Sequence, residues 1–276
     1  MPDFKARPQQ VEMSRFIHQR LQQSQNRMAV VEAPTGVGKT LAYLSGAIET
    51  ALNSKKLLVI STATVNLQQQ LIQKDLPQFS AALPQPIRFM QIKGRRRYVC
   101  PSKLAQLATT PEQQDLTLDV DQKYQQVLMQ TQAKNLFQDW DEHRWDGDRD
   151  SRTDAIDPAL WHEVSTDSEG CAGKSCRYFI SCPYYLLRKE MQLAQVVVVN
   201  HDLLLSDADL GGGLVLPNPE ELILVFDEAH NLPQKALGHA AKALNFAQLY
   251  QTVETADSLM KKLPTALAFR QHDFGY

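Results

Sequence analysis

The sequence lacks any long apolar segment. Nowhere do about 18 apolar residues follow one another, which is the minimum for a membrane-spanning helix. The first residues, Met1 to Lys5, are followed by no apolar run of the kind that a secretory signal peptide requires. These absences predict a cytoplasmic protein that does not associate with membranes.

An excess of basic residues is also missing. Lysine and arginine number 29 against 31 aspartate and glutamate residues, so the formal net charge is −2. The overall charge therefore does not indicate a polyanionic partner, and any contact with nucleic acid would need a local basic patch. With 276 residues, 43% of them hydrophobic, the chain can bury the core of one large domain or two ordinary ones.

Cysteine is scarce as well. The four cysteines are Cys100, Cys171, Cys176 and Cys182. In a reducing cytosol they are expected to be free thiols or metal ligands and not disulfides. The spacing of the last three, C-x4-C-x5-C, is looser than the C-x2-C pairs of zinc ribbons.

Five short apolar runs predict buried strands. Because these runs are continuous and not alternating, they indicate a parallel sheet covered on both faces. Between the first two runs, Leu41, Leu44, Ile48 and Leu52 mark one face of a helix, which predicts a βαβ unit. The runs are Met28–Val31, Leu57–Ser61, Ile87–Ile92, Val196–Asn200 and Leu222–Asp227.

The middle of the chain has a different character. Residues 100–188 contain little strand signal, many glutamines and acids, and a helix start at Thr110–Gln113. This composition predicts a helical insertion between strands of one sheet. The acidic, aromatic stretch Trp140–Asp150 is interpreted as a solvated loop, and the chain after Asn231 is predicted to be helical.

A loop with two glycines joins the first run to the helical pattern. Gly36 and Gly38 let the backbone approach a phosphate without a Cβ in the way, and Lys39 can reach the β and γ phosphates. The Thr40 hydroxyl can ligate Mg²⁺, and the following helix directs its free amides at the same anion. The usual pattern has glycine where Ala33 stands, and a glycine turn that precedes Lys-Thr by chance is the alternative. ATP and Mg²⁺ are predicted to bind Ala33, Pro34, Thr35, Gly36, Val37, Gly38, Lys39 and Thr40.

Two adjacent carboxylates end the last predicted strand. A carboxylate in this position, beside a phosphate loop, can hold the shell of Mg²⁺, and the next one can orient and deprotonate the attacking water. Asp227 is therefore predicted as the metal ligand and Glu228 as the base. The alternative is that Asp227 caps a helix.

With the phosphate loop, Asp227-Glu228-Ala229-His230 resembles the superfamily-two helicases of the DEAH-box type. The four cysteines, which lie between these motifs, resemble the thiolates that hold a [4Fe-4S] cluster in the helical insertion of the XPD and DinG helicases. Further segments spread over residues 7–233 resemble the DinG type in the same order. These segments are Glu32–Thr40, Gly94–Pro101, Trp145–Gly147, Ser165–Asp167 and Val197–His201.

The resemblance implies an α/β fold: a RecA-like parallel sheet flanked by helices, which is the first motor domain of a P-loop NTPase, interrupted by a mainly helical iron-sulfur insertion. It also implies domain boundaries. These are 1–95 for the first part of the motor domain, 96–190 for the insertion, 191–236 for the second part with the DEAH motif, and 237–276 for the start of a helical arch.

The resemblance also assigns roles around the nucleotide. Arg7, Gln10 and Met13 resemble the segment that recognises adenine, with a surface helix start as the alternative. His230 is expected to couple the nucleotide site to the DNA side. For the cysteines, a zinc site and four unrelated buried thiols remain as alternatives.

Two segments are predicted to contact single-stranded DNA. One resembles the family's strand-binding segment and supplies Thr62, Thr64 and Asn66, with capping at the strand end as the alternative. The other is a basic patch whose cations can bind phosphates and whose tyrosine can stack on a base, unless it is an ordinary solvated face. The patch consists of Lys93, Arg95, Arg96, Arg97 and Tyr98.

One feature that a complete motor needs is missing. Arginines from a second motor domain stabilise the transition state of hydrolysis, yet Arg270 is the single arginine after Asn231. The chain is therefore predicted to be the N-terminal portion of an ATP-hydrolysing DNA helicase that moves 5′ to 3′ on single strands. Alone, it is expected to bind ATP, cluster and DNA without unwinding.

The expected partners are single-stranded DNA, R-loops or forked DNA, and a single-strand-binding protein, with a monomeric chain. Two alternatives stay open: a non-motor nucleotide- and DNA-binding module that acts with a partner chain, and a zinc-stabilised ATPase.

Overall fold

The computed structural model describes residues 7–109 and 120–241, together with scattered positions between 246 and 260. The chain divides into two compact units, Met1–Leu232 and Pro233–Tyr276. The first unit contains the sheet and every predicted site residue. In the second unit, the described backbone is helical.

A four-stranded parallel sheet forms the centre of the first unit. Its strands are β1 (Leu57–Thr62), β2 (Phe89–Gln91), β3 (Val196–Asn200) and β4 (Leu222–Phe226), in the order β2-β3-β1-β4. In the register, Val59 of β1 lies beside Val197 on one side and Leu224 on the other. The prediction of a parallel sheet flanked by helices is confirmed, and four of the five apolar runs supply its strands.

The predicted strand at Met28–Val31 is wrong. This run is irregular, and its side chains at Met28 and Val30 are 75% and 81% exposed. A strand needs a hydrogen-bonded neighbour, and within the part of the chain that the structure describes, no strand pairs with this run. β4 is one of the two edge strands of the described sheet, and its Leu224 and Phe226 are each 40% exposed.

Helices cover the first face of the sheet. They are α1 (Pro8–Leu21), α2 (Lys39–Ser54), α3 (Val65–Gln70) and α4 (Leu76–Ala81), and a π-helical turn at Leu71–Asp75 joins the last two. Leu44 and Ile48 of α2 pack with Leu58 and Val198 of the sheet in the first core, as their spacing predicts. Leu52 departs from the predicted face, because it lies in the last turn of α2 and is 42% exposed.

The chain between β2 and β3 is mainly helical where the structure describes it. It forms α5 (Pro101–Thr109), α6 (Val120–Asp141), α7 (Pro158–Val164) and α8 (Pro183–Met191). Helices α5, α6 and α7 enclose a second core, whose buried residues include Val99, Leu104, Leu160 and Trp161. The predicted helix start at Thr110–Gln113 lies outside the described residues.

The prediction that Trp140–Asp150 is a solvated loop is wrong for both tryptophans. Trp140 lies in the last turn of α6 and Trp145 lies just after this helix, and they are only 9% and 6% exposed in the second core. Their large apolar surfaces outweigh the acidic residues around them, whose carboxylates stay near the surface.

The other face of the sheet carries a third core. α9 (His201–Asp209) follows β3 directly, and its Leu203 and Leu204 pack against Val59 and Val199. Helix α10 (Leu232–Ala240) then confirms that the chain continues as a helix after Asn231. Among the described helices, none combines the length and the apolar composition that crossing a membrane requires.

Candidate nucleotide site and the predicted DNA and cluster residues

The backbone of the phosphate loop has the conformation that its glycines predict. Gly36 and Gly38 have φ angles of +83° and +88°, which side chains disfavour. Gly38 is also the N-cap of α2, so Lys39 begins the helix and the free amides of its first turn face the loop. A Cβ on Gly38 would collide with the side chain of Gln10, whereas a Cβ on Gly36 would meet open space.

The two predicted motifs meet at the carboxyl end of β4. Lys39 Nζ donates to Glu228 Oε1 at 3.3 Å, and the Tyr43 hydroxyl donates to Asp227 Oδ2 at 3.4 Å. The backbone N–H of Asp227 donates to the carbonyl of Ser61 on β1 at 2.8 Å. The fold therefore brings phosphate loop and carboxylates together although most of the chain separates them in sequence.

The backbone at Glu228 is strained. Its φ of +55° places a non-glycine residue in the left-handed region, a conformation that persists only where the surrounding structure holds it. The side chain is held on both sides, since Lys39 contacts Oε1 and His230 Nδ1 lies 3.3 Å from Oε2. The Glu228 carboxylate thus has a contact at each of its two oxygens.

The electrostatics of this end of the sheet favour a cation. Burial raises the pKa of Asp227, and the neighbouring charge of Glu228 raises it further, while Lys39 and the hydrogen bond from Tyr43 act in the opposite direction. The Asp227 carboxylate and the Thr40 hydroxyl are hard oxygen donors of the kind that Mg²⁺ prefers. The residues present therefore fit a magnesium ion in donor type and in charge.

Sequence reasoning missed Tyr43. It lies one helical turn after Lys39 on α2, so both side chains reach the same end of β4. Burial, followed by the charge of Asp227, raises the pKa of Tyr43 well above its ordinary value, which keeps the hydroxyl protonated as a donor. The spacing from Lys39 is the signal that could have identified it.

The predicted adenine segment lies against the phosphate loop. Arg7 Nη1 donates to the carbonyl of Gly36, and Gln10 Nε2 donates to the carbonyl of Gly38 at 3.0 Å. Met13 packs against the first core. Recognition of adenine by Gln10 stays a prediction, and the contacts show that its amide also supports the loop.

Several side chains of the predicted basic patch have contacts within the protein, and contact of the patch with DNA stays a prediction. Lys93 lies 2.5 Å from Asp148 and 3.0 Å from Asp150, and Arg97 lies 3.5 Å from Asp150. The acidic stretch that was interpreted as a solvated loop therefore neutralises these two cations.

The tyrosine of the patch, Tyr98, is buried at 5% exposure. Arg95 is engaged internally: Nη1 donates to the carbonyl of Asp167 at 2.9 Å, and its guanidinium lies over the ring of Tyr184. Of the predicted patch, Arg96 is exposed.

In the other predicted DNA segment, Thr62 is fully buried and Thr64 accepts the N–H of Leu67 at 3.3 Å as the N-cap of α3. Thr64 thus caps a helix, which is the alternative interpretation of this segment. Thr64 and Asn66 are nevertheless exposed at the carboxyl end of β1, next to the candidate nucleotide site. Contact of these two residues with DNA stays a prediction.

The cysteines are all free thiols in the region between β2 and β3. Burial raises the pKa of Cys182, and repulsion from Cys100 and Cys171 adds to this effect. Cys171 Sγ accepts the N–H of Gly173 at 3.4 Å. Three of the sulfurs thus interact electrostatically, but no group of three or more cysteine, histidine or acidic side chains is arranged to hold a metal among the residues that the structure describes.

Comparison with known proteins gives two matching family models. The DEAD_2 model matches residues 62–249, and the model of the type III restriction enzyme, res subunit, matches residues 3–95. The first covers most of the chain, from the end of β1 past the carboxylates Asp227 and Glu228. The second covers the phosphate loop.

Curated relatives match along most of the chain. ATP-dependent DNA helicase DinG of Salmonella choleraesuis is 43% identical over 239 residues, which is 86% of this chain and 33% of the relative. The protein of the same name from Escherichia coli (strain K12) is 42% identical over 239 residues, which again is 86% of this chain and 33% of the relative. The one from Photobacterium profundum is 38% identical over 89% of this chain and 35% of the relative. The chain therefore spans about one third of the length of these relatives.

Proposed function

The chain belongs to the DEAD_2 family, and we propose that it is the nucleotide-binding portion of an ATP-dependent DNA helicase of the DinG type. The proposal rests on one observation: Lys39 donates a hydrogen bond to Glu228, and Tyr43 donates one to Asp227. Movement 5′ to 3′ along single-stranded DNA is part of the same proposal.

In this proposal the phosphate loop binds ATP, and the two carboxylates that follow β4 take part in its hydrolysis. Lys39 and the first amides of α2 bind the phosphates, Thr40 and Asp227 hold Mg²⁺, and Glu228 orients and deprotonates the attacking water. Magnesium supplies charge neutralisation at the phosphates. Since Lys39 contacts Glu228 directly, that ion pair must open before Lys39 can reach a phosphate and Glu228 can accept a proton. His230 contacts the other oxygen of Glu228 and would relay changes at this site.

We propose that the activities of this part of the protein include binding of ATP and of single strands. We propose the cytoplasm as its location, and R-loops, forked DNA and a single-strand-binding protein as further partners of a monomeric chain.

We also propose that residues 96–190 form an iron-sulfur domain in which Cys100, Cys171, Cys176 and Cys182 bind a [4Fe-4S] cluster. Four thiolates are the usual ligands of such clusters, and the four free cysteines lie in one region of the chain, between β2 and β3. Since the side chains are not gathered into a closed metal site, no step of the ATP reaction is assigned to the cluster.

The cluster proposal has a direct chemical test. Chain purified without oxygen should contain close to equal amounts of iron and inorganic sulfide, and Cys182→Ser should lose both, because Cys182 is the buried thiol of the set. Iron and sulfide assays with parallel zinc analysis measure this. Stoichiometric zinc without iron would overturn the cluster proposal in favour of a zinc site.

We propose that Thr64, Asn66 and Arg96 contact DNA, because they are the exposed members of the predicted set. Replacing Arg96 with alanine should weaken binding of an oligo-dT strand and reduce the slope of log K against log salt by about 0.7, the value for one phosphate contact. Fluorescence anisotropy over a range of salt concentrations measures the slope.

The matched control is Arg15→Ala, since Arg15 is an exposed arginine on α1 that belongs to neither predicted DNA segment. Its slope should equal that of the unaltered chain. Equal slopes for both variants would remove Arg96 from the DNA path, and a chain that bound no oligo-dT at all would contradict the helicase proposal.

A further inference from the structure

We infer that the buried histidine His201, acting through Ser61, is a positioning residue for the magnesium ligand Asp227. The inference deepens the proposed function and rests on it, because it concerns the same nucleotide site. It concerns the edge of the sheet at which the carboxyl ends of β3, β1 and β4 meet. His201 follows β3, Ser61 lies near the end of β1, and Asp227 follows β4.

Ser61 makes a hydrogen bond to each of the other two residues. Its hydroxyl and His201 Nδ1 are hydrogen-bonded at 2.7 Å, in a direction that the imidazole tautomer sets. Its carbonyl accepts the backbone N–H of Asp227 at 2.8 Å. Ser61 and His201 are both fully buried. Ser61 thus links the imidazole of His201 to the backbone of Asp227 through two hydrogen bonds.

The imidazole also lies beside β4 itself. The ring centroids of His201 and Phe226 are 6.3 Å apart with an interplanar angle of 42°. Phe226 directly precedes Asp227 in the chain. The imidazole therefore restrains Asp227 from two directions: through the carbonyl of Ser61 and through the ring of the preceding residue.

The chemistry of the pair indicates a function beyond filling space. Neighbouring positions in the same sheet are filled by apolar side chains such as Val59, Val197 and Val199. Burying an imidazole and a hydroxyl requires that both be satisfied by hydrogen bonds, whereas apolar side chains carry no such requirement. A directional hydrogen bond gains importance where a ligand must be held to within about 0.5 Å, as a metal-binding carboxylate must.

The other contacts of the Asp227 carboxylate do not fix it strongly. The bond from the Tyr43 hydroxyl is long at 3.4 Å, and the other bond comes from the adjacent backbone N–H of Glu228 at 3.1 Å. The position of the carboxylate therefore depends on where β1 holds the backbone of Asp227. That position depends in turn on the bond between Ser61 and His201.

The test measures the magnesium dependence of nucleotide binding by the whole chain. A fluorescent ATP analogue is titrated with and without Mg²⁺. His201→Ala is expected to raise the Mg²⁺ concentration for half-maximal effect by roughly tenfold, the lower end of what the loss of an outer-shell contact costs a metal site. The affinity without metal should stay unchanged, since His201 touches neither the phosphate loop nor Lys39 in the contacts described above.

Conservative variants separate positioning from mere packing. In His201→Asn the amide can replace the bond that Nδ1 makes to Ser61, so the magnesium response should return. Ser61→Ala should reproduce the effect of His201→Ala. Asp227→Asn should abolish the magnesium response, and adding His201→Ala to it should cause no further loss, because the two residues act on the same ligand. His162→Ala, at a histidine with 78% side-chain exposure, is the control that should change nothing.

The outcomes are distinguishable from failure of the proposed function. If the unaltered chain binds nucleotide without any magnesium response, the proposed function fails. If the response is present and survives both His201→Ala and Ser61→Ala, or if both variants weaken metal-free binding by the same factor, the inference about His201 alone is overturned. Should His201→Ala fail to fold, Ser61→Ala and His201→Asn give the same decision.

Discussion

Replacing Lys39 with alanine is expected to weaken binding of Mg-ATP by roughly 100-fold. The ammonium group is placed at the start of α2 to meet the phosphates, and charge-assisted hydrogen bonds are worth about 1.5–3 kcal/mol each. Isothermal titration calorimetry with ATP and Mg²⁺ measures the change. The fold should be unaffected, because Lys39 and Glu228 keep 29% and 30% side-chain exposure and such pairs contribute less than about 1 kcal/mol.

Lys74→Ala provides the control for this prediction. Lys74 is an exposed lysine of the same unit, in the π-helical turn that follows α3. Its replacement should leave the affinity for Mg-ATP unchanged. Equal affinities for Lys39→Ala, Lys74→Ala and the unaltered chain would show that nucleotide binds elsewhere.

Replacing Leu44 with alanine is expected to lower the free energy of unfolding by about 2–5 kcal/mol. Leu44 is completely buried in the first core, where it packs between α2 and the sheet, so its removal leaves a cavity beneath the helix that carries Lys39. Urea denaturation followed by circular dichroism measures the change. ATP binding should be lost at the urea concentration that marks the unfolding midpoint.

Leu52→Ala in the same helix is the matched variant. Leu52 is 42% exposed, so the same chemical change should cost less than about 1 kcal/mol. Indistinguishable midpoints for the two variants would contradict the packing of α2 on the sheet as described.

The fold and the nucleotide site could be largely predicted from the sequence because their signals are local. Continuous apolar runs mark the strands, and the phosphate loop needs its glycines at Gly36 and Gly38 for conformational reasons that any sequence would share. Asp227 and Glu228 directly follow β4, as predicted. The structure brings Lys39 to Glu228 although the apolar run before the phosphate loop does not form a strand.

The wrong predictions concern residues whose environment depends on distant parts of the chain. Met28–Val31 has the composition of a strand but lacks a hydrogen-bonded neighbour among the described residues. Contact of Lys93 and Arg97 with DNA stays a prediction, but the sequence did not indicate that Asp148 and Asp150 lie beside these two cations in the fold. Composition alone cannot show which charges a fold brings together.

Buried groups were missed for a similar reason. Tyr43 and His201 are ordinary residues of an amphipathic helix and of a helix start in sequence, and only the fold places them against Asp227 and Ser61. Trp140 and Trp145 occur in an acidic stretch, and the second core that buries them is assembled from helices on both sides of that stretch.

A crystal structure of the chain with ADP and Mg²⁺ would test the nucleotide site. We expect the β-phosphate within hydrogen-bonding distance of Lys39 Nζ and of the amides that follow Gly38. We also expect Mg²⁺ on the Thr40 hydroxyl and near Asp227, with the ion pair between Lys39 and Glu228 opened. Nucleotide bound away from this loop, or bound with Lys39 still paired to Glu228, would contradict this expectation.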